Sequence, residues 1–267
     1  MDKRIEQEAV FHDKAAEHFT DGEELVHAYF QSPTAVENRY ILARMGQLKD
    51  RQILDFGCGI GEASVYFALQ GAHVTGIDVS PKTVQVAQTV AIRHKAPVTF
   101  LISQQNNLSE FPDGSFDLIY GNGVLHHIDC AAYFPEFKRV LRPGGRAFFI
   151  DPLPYNPLIN IYRKIATEVR SPAEKPIGVR EIRLAEKYFK VKTTGFWLTA
   201  LYLFCHFYLF ERADPNKEKY WRKIIREGEK YRNPFGVLNG IDRCLLGICP
   251  PLKYLCWNLV TELEKTE

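Results

Sequence analysis

The alternation of short apolar runs with helical stretches between residues 51 and 151 limits most strongly how this chain can fold. Five runs rich in β-branched and aromatic residues, "QILDFG", "AHVTGIDV", "PVTFLIS", "SFDLIYG" and "RAFFID", are separated by segments with helical periodicity. Strands that alternate with helices in this way form a parallel sheet with helices on both faces. We therefore expect an α/β fold whose ligand binds beyond the carboxyl ends of the strands.

Several element boundaries can be predicted from local residue types. Ser80 and Pro81 suit the N-cap and the first position of the helix after the second strand. The helix before the fifth strand should stop at "RPGG", and Pro135 should begin or kink it. After Asp151 the alternation breaks down, but "YFKVKTTGFWL" still predicts a strand and the pattern of "CWNLVTELEK" predicts an edge strand.

Composition excludes several classes of protein. Of 267 residues, 46% are apolar and 25% charged, and the net charge of +2 gives no reason to expect a nucleic-acid partner. The six cysteines form no C-x-x-C pair and have no histidine at zinc spacing, so we expect no metal site. Reduced cysteines and a charged N-terminus without an apolar core predict a cytoplasmic protein.

The stretch "ILDFGCGIGEAS" places three glycines directly after the first strand. Glycine permits a tight turn there and lets a ligand approach the backbone with no Cβ in the way. The dinucleotide fingerprint has Gly or Ala where this chain has Glu62. A carboxylate at the start of that helix would repel a pyrophosphate, so we expect a different ligand.

Asp78 indicates what that ligand carries. It ends the second strand, 23 residues after Asp55. An acidic side chain about 20 residues beyond the glycine turn is positioned to bind ribose hydroxyls. The sequence therefore predicts a nucleoside with a small charged tail in place of a pyrophosphate.

At this point the chain resembles a known family. "ILDFGCGIGEAS", "VTGIDVSP", "FPDGSFDLIYGNGVLHHID" and "RVLRPGG" are similar, in order and spacing, to the motifs of class I S-adenosylmethionine-dependent methyltransferases. The resemblance covers about residues 36 to 151, with closing strands near 188–199 and 256–265. It implies S-adenosyl-L-methionine as cofactor and a Rossmann-like, doubly wound sheet of seven strands in the order 3-2-1-4-5-7-6, the last antiparallel, with helical lid elements.

The resemblance also implies which residues hold the cofactor. The family's positions fall on Asp55, Gly57, Cys58, Gly59, Asp78, Val79, Gln104, Gln105, Gly121 and Asn122. Asp55, Gly57 and Gly59 would meet the methionine part, Asp78 the ribose and Val79 the adenine, while Gly121 and Asn122 would lie beside the sulfonium. Where the family commonly has an acidic residue for the adenine amine, this chain has "SQQNN". The amide oxygen of Gln104 can accept that bond instead, with a backbone N–H from the next residue.

Candidates for the chemistry follow the fourth and fifth strands. Methyl transfer depends mainly on holding the acceptor in line with the methyl group, and a hydroxyl or amine acceptor also needs a base. His127 and His126 in "LHHID" are candidate bases, with His127 favoured; the alternative is that they pack and bond the backbone. Asp151 is a candidate base or substrate ligand, or else a structural turn residue. Further pocket or lid candidates are His12, Tyr29 and Tyr155.

"DPLPY" resembles the D-P-P-Y signature of methyltransferases that modify nucleic-acid bases. That signature follows the fourth strand, whereas these residues follow the fifth. The chain also lacks a strongly basic face, so we expect no nucleic-acid substrate.

The C-terminal third contains two apolar segments, residues 196–210 and 241–255. Neither reaches the length of a membrane span. Three interpretations stay open: the segments complete the core, they wall a pocket for a lipophilic acceptor, or they dock on a membrane surface. Dimerisation through the same surface is a further alternative.

We therefore expect one domain, with a helical cap at 1–50, a cofactor-binding core at 51–151 and a substrate and lid region at 152–267. The expected activity is methyl transfer to a small, apolar molecule. Two alternatives stay open. One is a lipid or quinone-like acceptor at a membrane surface. The other is a protein that binds the cofactor but no longer methylates.

Overall fold

The computed structural model describes residues 3–17, 19, 22–103, 107–168 and 175–266. Within these ranges seven strands form one sheet. They are β1 (Gln52–Phe56), β2 (His73–Asp78), β3 (Val98–Ile102), β4 (Phe116–Asn122), β5 (Leu141–Pro152), β6 (Lys190–Phe196) and β7 (Asn258–Glu264).

The strand order is β3-β2-β1-β4-β5-β7-β6. The first five strands run parallel, and β7 runs antiparallel to both β5 and β6. The order reverses between β1 and β4, where crossovers to the two sides of the sheet leave a crevice at the carboxyl ends. The α/β prediction and the strand order implied by the family resemblance are both confirmed.

The prediction that the C-terminal strand lies at an edge is wrong. β7 is inserted between β5 and β6, so it has a hydrogen-bonded neighbour on each side. Val260 packs into the core on one face of the sheet, and Leu259 and Leu263 pack into the core on the other. A strand buried on both faces has no solvent side, and the polar residues in the segment only imitate the alternation of an edge strand.

Eleven α-helices lie within the described residues. They are α1 (Lys3–Glu17), α2 (Ala28–Gln31), α3 (Val36–Met45), α4 (Glu62–Leu69), α5 (Pro81–Arg93), α6 (Cys130–Val140), α7 (Pro157–Ile165), α8 (Val179–Ala185), α9 (Tyr202–Leu209), α10 (Tyr220–Arg226) and α11 (Arg232–Ile248). The 3-10 turns are Leu125–His127 and Pro250–Leu255.

Local signals set most helix ends. The side chain of Ser80 accepts a hydrogen bond from the backbone N–H of Thr83, as expected of an N-cap. Helix α6 ends at Val140, one residue before Leu141, which precedes "RPGG", and Pro135 lies inside the helix rather than at its start. The fifth strand is longer than predicted, because residues from Leu141 onward already pair with β4.

Three apolar clusters organise the molecule. One lies between the sheet and the helices α2 to α5, and the second lies on the opposite face beneath α6 and α8. The third is largely aromatic and is built from the C-terminal helices, with Trp197, Phe204, Phe207, Tyr220 and Phe235 buried. The C-terminal segments thus add a core of their own beside the sheet.

Candidate functional site

A cavity of about 980 Å³ opens at the carboxyl ends of the parallel strands. Its walls come from the turns after β1, β2 and β4, from α1, and from the segment that leads into α10. This is the position at which open α/β sheets bind ligands. A large cavity therefore lies at the place that the strand pattern predicts.

In the glycine turn after β1, one glycine is needed for packing against the protein and another leaves the backbone open to the cavity. Gly57 has φ of 71°, and a Cβ there would lie 2.7 Å from Cγ2 of Val124. Gly59 has φ of 52°, and a Cβ there would meet no atom within 4 Å. The first glycine is thus required by its own protein neighbour, whereas Gly59 presents bare backbone to the cavity.

Asp78 is held at the cavity wall by the turns on either side of it. Its Oδ2 accepts the backbone N–H of Gly59 at 3.0 Å, and its Oδ1 accepts the backbone N–H of Ser80 at 3.0 Å. The carboxylate is half-buried and lines the cavity. Each oxygen keeps a further lone pair, so the side chain can accept two hydroxyl hydrogen bonds without losing these contacts.

Asp55 occupies a drier environment. It is buried at the end of β1, and its Oδ2 accepts the hydroxyl of Ser64 at 2.5 Å. Burial raises the pKa of Asp55 to about 7, although the hydrogen bonds from Ser64 act in the opposite direction. Asp55 and Asp78 therefore line the same cavity in different surroundings. The pKa of Asp55 lies near neutral pH, whereas Asp78 is held in place by two backbone N–H donors.

Glu62, the residue that distinguishes this turn from a dinucleotide site, is buried at the start of α4. Its carboxylate accepts two hydrogen bonds from Arg222, at 2.9 and 3.1 Å, and one from the backbone N–H of Leu25 at 2.6 Å. A carboxylate at a helix N-terminus is favoured by the helix dipole. Glu62 thus fastens the glycine turn to the N-terminal cap and to α10.

The other residues predicted for the cofactor are placed as follows. Cys58, Val79 and Asn122 line the cavity. Gly121 lies inside β4, where a Cβ would lie 2.7 Å from Val124 and 2.8 Å from Phe149. Gln104 and Gln105 lie outside the described residues.

His126 and Asp151 form one buried pair. The carboxylate of Asp151 lies 2.7 Å from Nδ1 of His126 and accepts its backbone N–H at 3.2 Å. Asp151 is completely buried and His126 is nearly so. Asp151 does not line the cavity, but it orients the imidazole of His126, which does.

His127 belongs to a second group, with two residues of α1. Its Nδ1 lies 3.0 Å from the Glu8 carboxylate, and Nε2 of His12 lies 3.8 Å from the other oxygen of Glu8. Glu8 is buried. The pKa of His12 is lowered by burial, which outweighs the attraction of Asp78 and Glu8 for its proton.

Sequence analysis missed Glu8. Its spacing of four residues from His12 on an amphipathic helix could have indicated that both face the same way. Nothing in the sequence indicates that His127 is the residue they meet. The expected absence of a metal stays a prediction.

Tyr29 also reaches the site. Its hydroxyl accepts a hydrogen bond from the side-chain amide of Asn122 at 2.9 Å, and burial raises its pKa. Tyr155 lies apart, with its ring partly exposed and its hydroxyl accepting the backbone N–H of Val179. Of the two tyrosines considered, Tyr29 is the one that lines the cavity.

The far end of the cavity is mixed in character. Apolar side chains are contributed by Ile159, Trp197 and Trp257. Lys219 lines the cavity nearer to Glu62, Arg222 and His12, and burial lowers its pKa. An acceptor at this end meets flat aromatic surfaces and a few polar groups, the usual lining of a small-molecule site.

The residues present fit a sulfonium nucleoside. Bare backbone at Gly59 leaves room for a chain to cross the turn, and the Asp78 carboxylate stands where a sugar can meet it. Asp55 adds a carboxylate for an ammonium group. Glu62 occupies the helix start that a pyrophosphate would need.

Comparison with known sequences agrees with this chemistry. Residues 54–149 match the methyltransferase domain family. The chain is 36% identical over 125 residues to a phosphoethanolamine N-methyltransferase of Triticum aestivum, which covers 46% of this chain and 25% of that protein. It is 32% identical over 111 residues to a ubiquinone biosynthesis O-methyltransferase of Photorhabdus laumondii, which covers 41% of this chain and 46% of that protein. The matches thus span less than half the length of either relative.

A solved structure has the same fold over nearly the whole chain. It is phosphoethanolamine N-methyltransferase 2 of Haemonchus contortus in complex with S-adenosyl-L-methionine. The two share 21% of their residues with a TM-score of 0.57, over 96% of this chain and 60% of that one. Residues 54–149 thus match a methyltransferase domain, and the chain shares the fold of the Haemonchus contortus enzyme.

Proposed function

We infer that this chain transfers a methyl group from S-adenosylmethionine to a small, largely apolar acceptor bound in the same cavity. The observation that carries this inference is the continuity of the cavity. It joins the glycine turn and Asp78 at one end to Trp197 and Trp257 at the other. A single cavity that holds both reactants can align the acceptor atom with the methyl group, which is the main requirement of the reaction.

Different residues of the cavity would bind the cofactor and take up the proton of the acceptor. Bound S-adenosylmethionine supplies a methyl group activated by its sulfonium. Asp78 holds the ribose, and Asp55 holds the ammonium of the methionine tail. His127 takes the proton of a hydroxyl or amine acceptor, with Glu8 stabilising the imidazolium that forms. Asp151 fixes the ring of His126 beside it, so His126 acts as a positioning group.

Methyl release from labelled cofactor tests the activity. We expect the purified chain to form S-adenosylhomocysteine when it is supplied with fractions of a small-molecule extract that contain the acceptor. His127→Asn should lower the rate about 10²- to 10⁴-fold and leave cofactor affinity unchanged, because a base acts only on the acceptor. His73→Asn is the matched control, since His73 is exposed at the opposite end of the strands.

Gly59→Val provides a second variant, in which a side chain enters the cavity at a positive φ and cofactor binding is lost. If the chain binds S-adenosylhomocysteine tightly and no fraction ever yields product, the chain is the alternative, a cofactor-binding protein that does not methylate. An equal loss of rate in the two histidine variants would remove the base role from His127.

A lipid or quinone-like acceptor is the second candidate. The aromatic side chains at the far end of the cavity favour it, because flat rings can stack on a quinone and pack against the acyl chains of a lipid. Fractionating the extract into lipid-soluble and water-soluble pools decides between the two candidates. Product formation with the lipid-soluble pool alone would assign the acceptor to this class.

A further inference from the structure

Helix α1 brings two side chains against the turn that carries His127. Glu8 and His12 lie four residues apart on α1, so both side chains leave the helix on the same side. Nδ1 of His127 lies 3.0 Å from one oxygen of Glu8, and Nε2 of His12 lies 3.8 Å from the other. All three side chains line the cavity, and Glu8 is buried. We use the term His–Glu cluster for Glu8, His12 and His127.

The Nδ1 atom of His127 is buried and makes no hydrogen bond within the described part of the chain. At 3.0 Å the nearest oxygen of Glu8 is close enough for one, so the direction of the ring N–H must miss that oxygen. A buried ring nitrogen in this state has lost its contact with water and gained no hydrogen bond in return. A metal ion between the nitrogen and the carboxylate would satisfy the nitrogen, because it binds the lone pair and needs no N–H.

The His–Glu cluster has the spacing and the chemistry of a transition-metal site. Its three ligand atoms lie within 4.8 Å of one another, and no other trio of His, Cys, Asp or Glu ligands among the described residues does so. In a tetrahedral zinc site, whose bonds are about 2.0–2.2 Å long, neighbouring ligand atoms are about 3.3–3.6 Å apart. Small movements of these side chains would therefore place all three on one ion, with water from the cavity as the fourth ligand. Two imidazoles and a carboxylate suit zinc, whereas Mg²⁺ and Ca²⁺ prefer oxygen ligands alone.

Helix α1 is held at two points, so the ligands are brought together before any ion binds. Arg4 donates to the backbone carbonyls of the two residues on either side of His127, at 3.0 and 3.2 Å. Farther along α1, Asp13 accepts the hydroxyl of Ser80 at 2.5 Å and the backbone N–H of Lys82 at 3.1 Å. Ligands that the fold already holds in place bind an ion without a further cost of ordering them.

The charges around the His–Glu cluster are mixed. Arg4 lies one turn before Glu8 on α1, and Lys219 lies near His12. These two positive charges oppose an added cation, whereas the buried Glu8 carboxylate and the nearby Asp78 attract it. We therefore expect binding in the micromolar range, weaker than that of a structural zinc site.

We propose that the His–Glu cluster binds a divalent transition-metal ion such as Zn²⁺, through Nδ1 of His127, Nε2 of His12 and the Glu8 carboxylate. This proposal departs from the expectation of no metal site, which was drawn from the spacing of the cysteines. An imidazole that gives its Nδ1 lone pair to a metal carries its proton on Nε2, so it cannot take a proton from an acceptor. The metal-bound chain therefore lacks its base. That consequence rests on the proposed function, whereas metal binding does not.

Titration calorimetry with Zn²⁺ tests the proposal on the full chain, without a histidine tag and without cofactor. We expect one Zn²⁺ per chain, bound in the micromolar range and not displaced by an excess of Mg²⁺. His12→Asn and Glu8→Gln should each bind Zn²⁺ at least about tenfold more weakly, because each alters one of three ligands. His94→Asn is the matched control and should bind as before. Its imidazole also lies near a carboxylate, 3.4 Å from that of Glu24, but outside the His–Glu cluster.

Three outcomes would overturn the proposal. The first is a chain that binds no Zn²⁺ at submillimolar concentrations. The second is undiminished binding by the His12→Asn and Glu8→Gln variants. The third is binding that disappears in Cys244→Ser/Cys249→Ser, which would assign the ion to the two exposed thiols.

Circular dichroism of every variant separates the loss of a ligand from the loss of the fold. Failure of the proposed function is distinguished as well, because the calorimetry needs neither cofactor nor acceptor. A chain that binds Zn²⁺ at the His–Glu cluster but never releases a methyl group contradicts the proposed function alone. A chain that methylates but binds no Zn²⁺ contradicts the metal site alone.

Discussion

Asp55 and Asp78 are two carboxylates in one cavity whose surroundings differ. Asp78 receives two backbone N–H donors and keeps partial contact with solvent. Asp55 is buried and has one hydroxyl donor. Because burial penalises the charged form, the pKa of Asp55 is raised from 3.8 to about 7. Asp55 therefore titrates in the neutral range.

This shift predicts how stability depends on pH. Between about pH 4 and 7 the carboxyl of Asp55 is ionised in the unfolded chain but protonated in the folded one. Folded protein binds more protons over that window, so the free energy of unfolding should decrease as the pH rises through it. Denaturant unfolding of the ligand-free protein measures the trend, and Asp55→Asn should flatten it.

The same group should give cofactor affinity the opposite trend. An ammonium on the methionine tail is bound by the ionised carboxylate, so affinity for S-adenosylhomocysteine should fall about tenfold between pH 8 and pH 6. Calorimetry checks this, and Asp55→Asn should bind weakly with little pH dependence. A pH dependence that persists in Asp55→Asn would assign the titration to another group.

Among single residues, those that belong to a sequence motif could be predicted to lie near the site. Contacts between residues far apart in the sequence could not. Asp55, Gly59, Asp78 and His127 were predicted at one edge of the sheet because each lies at or after the end of a parallel strand, and all four line the cavity. Glu8 lies more than a hundred residues from His127, and no local pattern links them. The requirement for Gly57 was found but attributed to a ligand, whereas Val124 is the neighbour that enforces it.

At the scale of secondary-structure elements, an ion pair links α4, which follows the glycine turn, to α10 in the C-terminal part of the chain. Arg222 of α10 donates two hydrogen bonds to Glu62 of α4 and one to the carbonyl of Glu23 in the cap. Both charged side chains are largely withdrawn from water. The pair therefore makes the position of the glycine turn depend on α10.

Arg222→Met should destabilise the chain by about 3 kcal/mol, because it leaves the buried Glu62 carboxylate without its charge partner. Equilibrium unfolding in denaturant measures the change. The double variant Arg222→Met/Glu62→Gln should regain much of the loss, since the uncompensated charge is then removed. Arg232→Met, at an exposed pair with Glu229, is the control and should change stability by less than about 0.5 kcal/mol.

Helices and strands were predicted correctly where the hydrophobic period was unambiguous. The prediction failed for β7, where a polar residue at an alternating position is buried instead of facing solvent. Helices α4 and α5 begin and end within a residue or two of where caps, proline and glycine indicate, whereas α6 begins at Cys130, capped by Asp129, five residues before Pro135. The segment of β7 has Asn258, Glu262 and Glu264 at positions of one parity, and Glu262 is nonetheless buried. Whether β7 is an edge strand depends on its pairing with β5 and β6, which the residues of β7 alone do not indicate.

For the molecule as a whole, the site draws on α1, on the turns after three strands and on the segment before α10. A ligand that bridges so many elements should stabilise them together. At about 100 times its Kd, S-adenosylhomocysteine should add about 2.7 kcal/mol, which raises the Tm by about 5–10 °C for a chain of this size. Differential scanning calorimetry should show one transition that moves as a unit; two transitions, of which one stays, would indicate independent domains.

The place of β7 between β5 and β6 has a consequence for how the sheet is completed. While a ribosome is still synthesising residues 258–264, β5 lacks its outer neighbour and β6 has nothing to pair with. The edge of β5 stays open until the strand that is synthesised last of the seven has left the exit tunnel, and only then can β6 join the sheet. Loss of residues 258–264 would therefore detach β6 as well, whereas loss of β6 would only shorten the rim of the sheet.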